Sequence, residues 1–337
     1  MAYTTIDDPS AYFKVQLYTG TGDAQSITFN DTDTNMQPDL LWQKSRSHGQ
    51  DPRIFDAVRG GSKMLYPSIT NAEETDAQFI TAFGSDGFTM GTAGGNANDS
   101  GTTYVAWCWK ESATAGFDIV TYTGNGTDDT DISHNLSAVP HMIICKVRNV
   151  AGEQWKVYHH KNTSAPETDF LRLEDTAATT DDASVWSDEA PTSSVFTLGD
   201  TNGINQNTKL FVSYLWSEKQ GFSKFGSYVG NGNADGPMIF LGFRPAFILT
   251  KRTDGGSNYW TIWDNKRDPD NWCGQKIYPN ATNAEQTEST GNLDFVANGV
   301  KIRNNGGDYN GSGQTYIYAA FAEAPFVNSE GVPCNAR

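Results

Sequence analysis

The chain has 337 residues, with 24 basic against 40 acidic side chains and a formal net charge of −16. That balance argues against a nucleic-acid partner, whose phosphates demand a basic footprint, and against an anionic membrane surface. Aromatic residues make up 12%, too many for a chain that never collapses, and no run approaches the roughly 18 apolar residues of a membrane span.

The opening Met1-Ala2-Tyr3-Thr4-Thr5-Ile6-Asp7-Asp8 lacks the basic and apolar regions of a signal peptide, which predicts synthesis in a cytoplasm without export by the ordinary route. Phe13-Lys14-Val15-Gln16-Leu17 alternates apolar and polar at period two, as a half-buried antiparallel strand does. It runs into Tyr18-Thr19-Gly20-Thr21-Gly22. A phosphate-cradling glycine loop would need a helix next, but Asp- and Thr-rich sequence and another strand follow, so a hairpin turn with positive φ is expected. Asp31, Asp33 and Asn35 have a spacing that could ligate calcium. Without an EF-hand glycine and distal glutamate, they read as a solvated acidic turn.

Pro38-Asp39-Leu40-Leu41-Trp42-Gln43-Lys44 is apolar on both faces after its proline, which suits a central strand. Ile54-Phe55-Asp56 ends the next strand. Thr70-Asn71-Ala72-Glu73 has capping-box spacing, predicting a helical turn or two. Phe88-Thr89-Met90-Gly91 precedes a closing aromatic strand, Tyr104-Val105-Ala106-Trp107-Cys108-Trp109.

The same landmarks then return in order. Tyr122-Thr123-Gly124-Asn125-Gly126 and Tyr228-Val229-Gly230-Asn231-Gly232 lie 122 − 18 = 104 and 228 − 122 = 106 residues apart. Pro140 to Lys146 and Pro245 to Lys251 repeat the proline-to-lysine strand. Trp155-Lys156-Val157-Tyr158 and Trp260-Thr261-Ile262-Trp263 repeat the one after it. The closing strand recurs as Phe211-Val212-Ser213-Tyr214-Leu215-Trp216 and Tyr316-Ile317-Tyr318-Ala319-Ala320-Phe321. Thr282-Asn283-Ala284-Glu285 echoes the first capping box, and Asp128, Asp129 and Asp131 echo the acidic turn. A period near 105 is too long for a solenoid, whose repeats run about 20–50 residues, and matches a sandwich of about 100. The expectation is an all-β chain of three tandem homologous antiparallel β-sandwich modules, jelly-roll in type, at 1–115, 116–223 and 224–337. Each is large enough to bury its own core. Linkers at 111–116 and 218–224 are short, so the modules should pack rather than swing.

No catalytic set recurs with the module. Asp56 and Asp264 hold comparable places, but module two has His159 or His160 there, a poor basis for the paired carboxylates of glycoside hydrolysis. His159 and His160 are strand neighbours and point to opposite faces, so they cannot share a metal without a bend. Cys108, Cys145, Cys273 and Cys334 do not repeat as a disulfide or zinc set would and read as free thiols. No metal, cofactor or enzymatic activity is expected. Trp109 and Trp216 read as core. Trp155, Trp260, Trp263 and Trp272 lie in or near polar, Gly-rich segments and are the candidate ligand-binding residues, able to stack on sugars or contact a partner.

Four stretches carry a resemblance: Thr4 to Ser10, the Tyr-Thr-Gly-x-Gly turn, Gln37-Pro38-Asp39-x-x-Trp42-x-Lys44, and Asp86 to Gly91 with Tyr104 to Trp109. They resemble virion proteins of marine tailed bacteriophages, which carry a repeated domain compared with tail fibres and concanavalin A-like sandwiches. The resemblance covers essentially the whole chain and brings no catalytic residues. It implies a structural virion protein, assembled in the host bacterial cytoplasm and displayed on the particle surface as part of a tail fibre or host-adhesion appendage. Expected partners are other virion proteins, a host surface glycan and further copies of the chain, without nucleic acid or membrane insertion. A capsid decoration or head-fibre protein is the alternative, and a polysaccharide depolymerase the second.

Overall fold

Three sheets share one strand order, and every strand pairing is antiparallel. The computed structural model describes residues 2–29, 33–92, 97–288 and 292–333. In the first repeat the order is Phe13–Thr19, Thr103–Trp109, Leu40–Ser45, Arg53–Asp56. The second repeat gives Phe117–Thr123, Leu210–Trp216, Met142–Val147 and Lys156–His159, extended by Asp169–Arg172 and Thr180–Asp181. The third gives Ser223–Val229, Thr315–Pro325, Phe243–Arg252 and Thr261–Asp264. The post-proline strand lies between two partners each time, as its two apolar faces predict. In each sheet a cross-strand aromatic pair fixes the first register: Tyr18 stacks on Tyr104 at 5.1 Å, Tyr122 on Phe211 at 5.0 Å and Tyr228 on Tyr316 at 5.1 Å.

Each repeat also forms a smaller sheet: Gln25–Thr28, Gly87–Met90 and Ile80–Gly84; Thr130–Ser133 with Val195–Leu198; Met238–Phe240, Gly299–Ile302 and Leu293–Val296. The Tyr-x-Gly-x-Gly segment therefore is not a hairpin turn, because it carries the chain from the large sheet to the small one. The positive φ is there, at Gly22, Gly126 and Gly232 (77°, 69° and 66°). The preceding glycine serves close approach: a Cβ on Gly20 would stand 2.3 Å from the Asp99 carbonyl oxygen. A buried asparagine clamps the segment in every repeat. Asn98, Asn205 and Asn310 accept the N–H of Thr21, Asn125 and Asn231 at 3.0, 2.9 and 2.9 Å. Their amides donate to the carbonyls of Asp23, Thr127 and Asn233 at 2.7, 2.8 and 2.8 Å.

One face of each large sheet packs on the small sheet of its own repeat. Leu41, Phe55 and Cys108 join Ile27, Phe88 and Met90, while Ile143, Cys145 and Leu215 join Phe196 and Leu198. The opposite faces share a single core. Trp42, Trp107 and Trp109, then Met142, Ile144 and Trp216, then Phe247, Leu249 and Phe321 belong to one continuous cluster. The ring closes without a covalent link between its ends, since Phe13 stacks on Phe321 at 5.1 Å. Trp109 touches Trp216, Phe247 and Phe321 at centroid distances of 6.1, 5.8 and 5.5 Å. The gap at this centre is about 10 Å³ and entirely apolar, too small and too dry for a ligand.

The helical turns predicted at Thr70 to Glu73 and Thr282 to Glu285 do not form. The Glu73 N–H donates to the Arg148 carbonyl at 2.6 Å and the Glu285 N–H to the Arg46 carbonyl at 2.9 Å, so these glutamates serve a neighbouring repeat instead of a helix cap. Cys108, Cys145 and Cys273 are buried. Asp31 and Cys334 lie outside the described residues.

Candidate functional site

Three of the four candidate tryptophans have no face open to a ligand: Trp155, Trp260 and Trp263 are 0%, 1% and 0% exposed. Trp155 donates its indole N–H to the Tyr66 and Ile69 carbonyls of the first repeat at 3.0 and 3.3 Å. Trp260 donates to the Arg172 carbonyl of the second repeat at 2.9 Å. Trp263 packs edge-on against Tyr309 at 5.1 Å inside its own repeat. The polar, Gly-rich surroundings of Trp155 and Trp260 are seams between repeats, which sequence alone does not separate from solvent. Trp272 is 46% exposed.

The two candidate carboxylates are seam residues as well. Asp56 accepts the Tyr214 hydroxyl of the second repeat at 2.7 Å, together with the Arg59 guanidinium and, at 2.7 Å, the Arg59 backbone N–H. Asp264 accepts the Trp107 indole N–H of the first repeat at 3.0 Å, the Arg267 guanidinium at 2.6 Å and the Arg267 N–H at 2.9 Å. Each strand thus ends in an Asp-x-x-Arg turn whose two charges meet with no solvent between them. Arg59 continues to Glu73 at 2.8 Å, and Glu73 receives Arg148 of the second repeat at 2.9 and 3.1 Å. Arg267 continues to Glu285 at 3.1 Å, which receives Arg46 of the first repeat at 3.0 and 2.9 Å. Burial pushes the Glu73 carboxyl upward, but hydrogen bonds from Arg148 and Arg59 outweigh it and hold the group below its ordinary value.

The third seam has the same backbone and neutral side chains. The Thr179 N–H meets the Thr253 carbonyl at 3.0 Å, matching the Glu73 and Glu285 bonds, and the Thr179 hydroxyl donates to Asn162 at 2.6 Å. His159 stands where the other strands have aspartate, its Nε2 3.1 Å from the Tyr318 carbonyl. Ala319 occupies the place of Trp107 and Tyr214 and offers no side-chain donor, so the direction at this position is reversed: His159 donates to the backbone carbonyl of Tyr318. Burial, then the charge of His160, pulls His159 down to about 3.

The recurring lysines explain themselves here. Lys44 donates to the Gln50 carbonyl and across a seam to that of Thr282, Lys146 to those of Glu153 and Thr70, and Lys251 to that of Asn258. Burial lowers them to about 7, 8 and 8. The sequence reading missed Arg46, Arg59, Arg148, Arg267, Glu73 and Glu285 as a set. Their signal is co-occurrence: an Asp-x-x-Arg closing the Asp56 and Asp264 strands appears together with Asn-Ala-Glu in repeats one and three, whereas repeat two has His159-x-x-Asn162 at that place and no Asn-Ala-Glu.

A second group of titrating residues lies where one repeat hands over to the next. Burial, then the hydrogen bond and charge of Asp118, pushes Glu111 up to about 7, and Asp39 accepts the Glu111 N–H at 2.8 Å. At the next junction the His141 and His160 rings meet at 4.5 Å. His141 Nδ1 accepts the Glu218 N–H at 3.1 Å, and His160 Nε2 lies 2.9 Å from the Phe225 carbonyl.

Trp272, Asn271, Asp294 and Arg303 line a depression of about 460 Å³ on the third repeat, with Arg303 Nε 2.6 Å from Asp294. In the acidic turn of the second repeat, Asp128 accepts the Ser187 hydroxyl and Asp131 the Thr197 hydroxyl, at 2.7 and 2.9 Å. Among the described residues no group of three His, Cys, Asp or Glu side chains is placed to hold a metal ion.

Residues 8–325 match, in one span across all three repeats, the model of a family described as Domain of unknown function (DUF7483). No curated protein and no solved structure matches the chain.

Proposed function

Starting from a chain that belongs to the DUF7483 family, a domain of unknown function, we propose a structural protein of a bacteriophage particle, within a tail fibre or host-adhesion appendage. It works through contacts with other virion proteins and with a host surface glycan. One observation carries this reading: the residues that recur between repeats are buried, and Lys44, Lys146, Asp56 and Asp264 among them bind one repeat to another. Lys44, Lys146 and Lys251 hold loop carbonyls, while Asp56 and Asp264 are locked to arginines and to Tyr214 and Trp107. A multi-unit body held together at buried seams suits a particle component better than it suits an enzyme, which must leave reactive groups open to substrate. We read the repeats as three tandem jelly-roll or concanavalin A-like sandwiches closed around a pseudo-threefold axis. The resemblance to marine tailed-phage virion proteins and the acidic charge agree with display on a virion surface.

The shared core also favours a second reading, a capsid decoration protein. A body of three like units without a shaft fits a threefold or quasi-sixfold seat, as closed symmetry favours. A depolymerase draws no support from Asp56 or Asp264, which face no open space. Imaging intact virions labelled with an antibody against the chain tests the proposal. Tail signal supports the adhesion role, signal spread over the head supports decoration, and no signal on purified particles overturns both.

A further inference from the structure

We propose that the Trp272 loop is a binding shelf for a neutral saccharide. The loop is an addition to the repeat. Lys63 and Gln275 hold equivalent places, since each pairs with the threonine two residues after its seam glutamate, Thr75 and Thr287. From Arg59 to Lys63 is 63 − 59 = 4 steps, and from Arg267 to Gln275 is 275 − 267 = 8, so the third repeat is four residues longer there. Insertions on one repeat of an array collect on loops that carry binding. This one presents Trp272, while the other eight tryptophans of the chain are buried.

The shelf is held in place rather than left loose. The Asn271 side chain clamps Phe295 from both sides, donating to its carbonyl at 2.8 Å and accepting its N–H at 3.0 Å. The Cys273 N–H donates to the Leu293 carbonyl at 2.7 Å, and the Asn292 N–H to that of Cys273 at 2.9 Å. An indole fixed this way loses little freedom on stacking, which preserves affinity.

Its neighbours select the ligand. Asp294 and Arg303, paired at 2.6 Å, set an acceptor and a donor side by side on the rim of the same depression. A phosphate or carboxylate ligand would meet Asp294, and a cationic one would meet Arg303. An uncharged ring with an apolar face and vicinal hydroxyls suits all three groups: its C–H face lies on the negative face of the indole, and its diol bridges carboxylate and guanidinium. A neutral hexose or N-acetylhexosamine chain has that chemistry. The inference rests on the adhesion reading for its biological meaning only.

The experiment applies the purified full chain to an array of neutral hexose and N-acetylhexosamine oligosaccharides. The best binder is then titrated while tryptophan emission is followed. We expect saturable binding that perturbs the red-shifted emission of Trp272. Affinity should fall about tenfold or more in Trp272→Ala, and also in Arg303→Ala, an exposed position that spares the fold should the first variant be unstable. Absence of binding to every saccharide on the array, or unchanged affinity in both variants, overturns the shelf. Neither result depends on where antibody places the chain on a particle, so the two readings fail separately.

Discussion

The hydroxyl of Tyr214 donates a 2.7 Å hydrogen bond to the buried carboxylate of Asp56 across the boundary between the second and first repeats. The indole of Trp107 does the same for Asp264 across the boundary between the first and third. Tyr214 and Trp107 hold one position in their closing strands, and Asp56 and Asp264 one position in theirs. The bonds therefore run in the same rotational sense, second to first and first to third. Completing the cycle would need a donor at Ala319 reaching His159, and there the side chains are neutral.

Tyr214→Phe should destabilise the chain by about 1.5–3 kcal/mol, the usual value of a hydrogen bond to a charged group. Asp56→Ala should cost more, about 3–5 kcal/mol, because it strands the Arg59 guanidinium, which has no solvent exposure. Denaturant unfolding of the full chain measures both. A Tyr214→Phe variant within about 0.5 kcal/mol of wild type would mean the seam bond contributes nothing beyond packing.

Much of the sheet plan was legible because period-two alternation and proline-bounded apolar runs report local burial directly. Phe13 to Leu17, the post-proline strands and the closing aromatic strands all lie where the pattern put them. What the pattern could not report was which side an apolar face would meet. Trp155 and Trp260 look surface-like because their neighbours are Gly, Asn and Asp, yet those neighbours cover a seam. Glu73 and Glu285 have the spacing of helix caps, but a guanidinium from another repeat competes for each carboxylate and wins. Long-range pairing of this kind leaves no local periodicity. Only comparison between repeats exposes it, through Asp56 with Glu73 and Asp264 with Glu285 set against His159 with Thr179.

A single repeat should not fold alone. In the segment 116–223, Met142, Ile144, Tyr214, Trp216 and Trp155 face the shared core or a seam and would be exposed on isolation. Expressed by itself, this segment should lack the near-ultraviolet circular dichroism of fixed aromatic rings and should unfold without a cooperative transition. A sharp transition in the isolated segment would show that its small-sheet core suffices.

Acid and alkali should act on different junctions. The folded values of His159 and His160, about 3 and about 4, lie below the ordinary 6.5. Between those limits the unfolded chain binds protons that the folded chain does not, so stability falls as pH falls through the window. Glu111 behaves oppositely, since its folded value of about 7 lies above the ordinary 4.5. The folded chain keeps a proton the unfolded chain has released, and stability falls as pH rises from 4.5 through 7. Thermal unfolding from pH 4 to 8 should therefore show His159→Asn losing less on acidification than wild type. Glu111→Gln should gain stability at pH 8 and match wild type at pH 4. Parallel curves for all three proteins would exclude both assignments.

The ring should also survive being opened elsewhere. The described segments nearest the two termini meet near one junction: Ser329 donates its N–H to Asp7 at 2.7 Å, Tyr3 donates to the Gly242 carbonyl at 2.7 Å, and Thr4 to that of Gln220 at 2.8 Å. Ile6 is buried in the shared core, so the N-terminal segment belongs to the packed body. The other junctions are short turns, closed at the first by paired bonds between Ser112 and Phe117 at 2.9 and 3.0 Å. Joining the termini through a flexible linker and opening the chain between Ala113 and Thr114, both exposed, would break no seam bond and leave the buried Ala115 in the core. Such a permutant should melt cooperatively within about 5 °C of the natural order, because new termini at an exposed turn cost little when the contacts are kept. Failure to fold would mean that the covalent link between first and second repeats, rather than the core the three repeats share, is what assembles the ring.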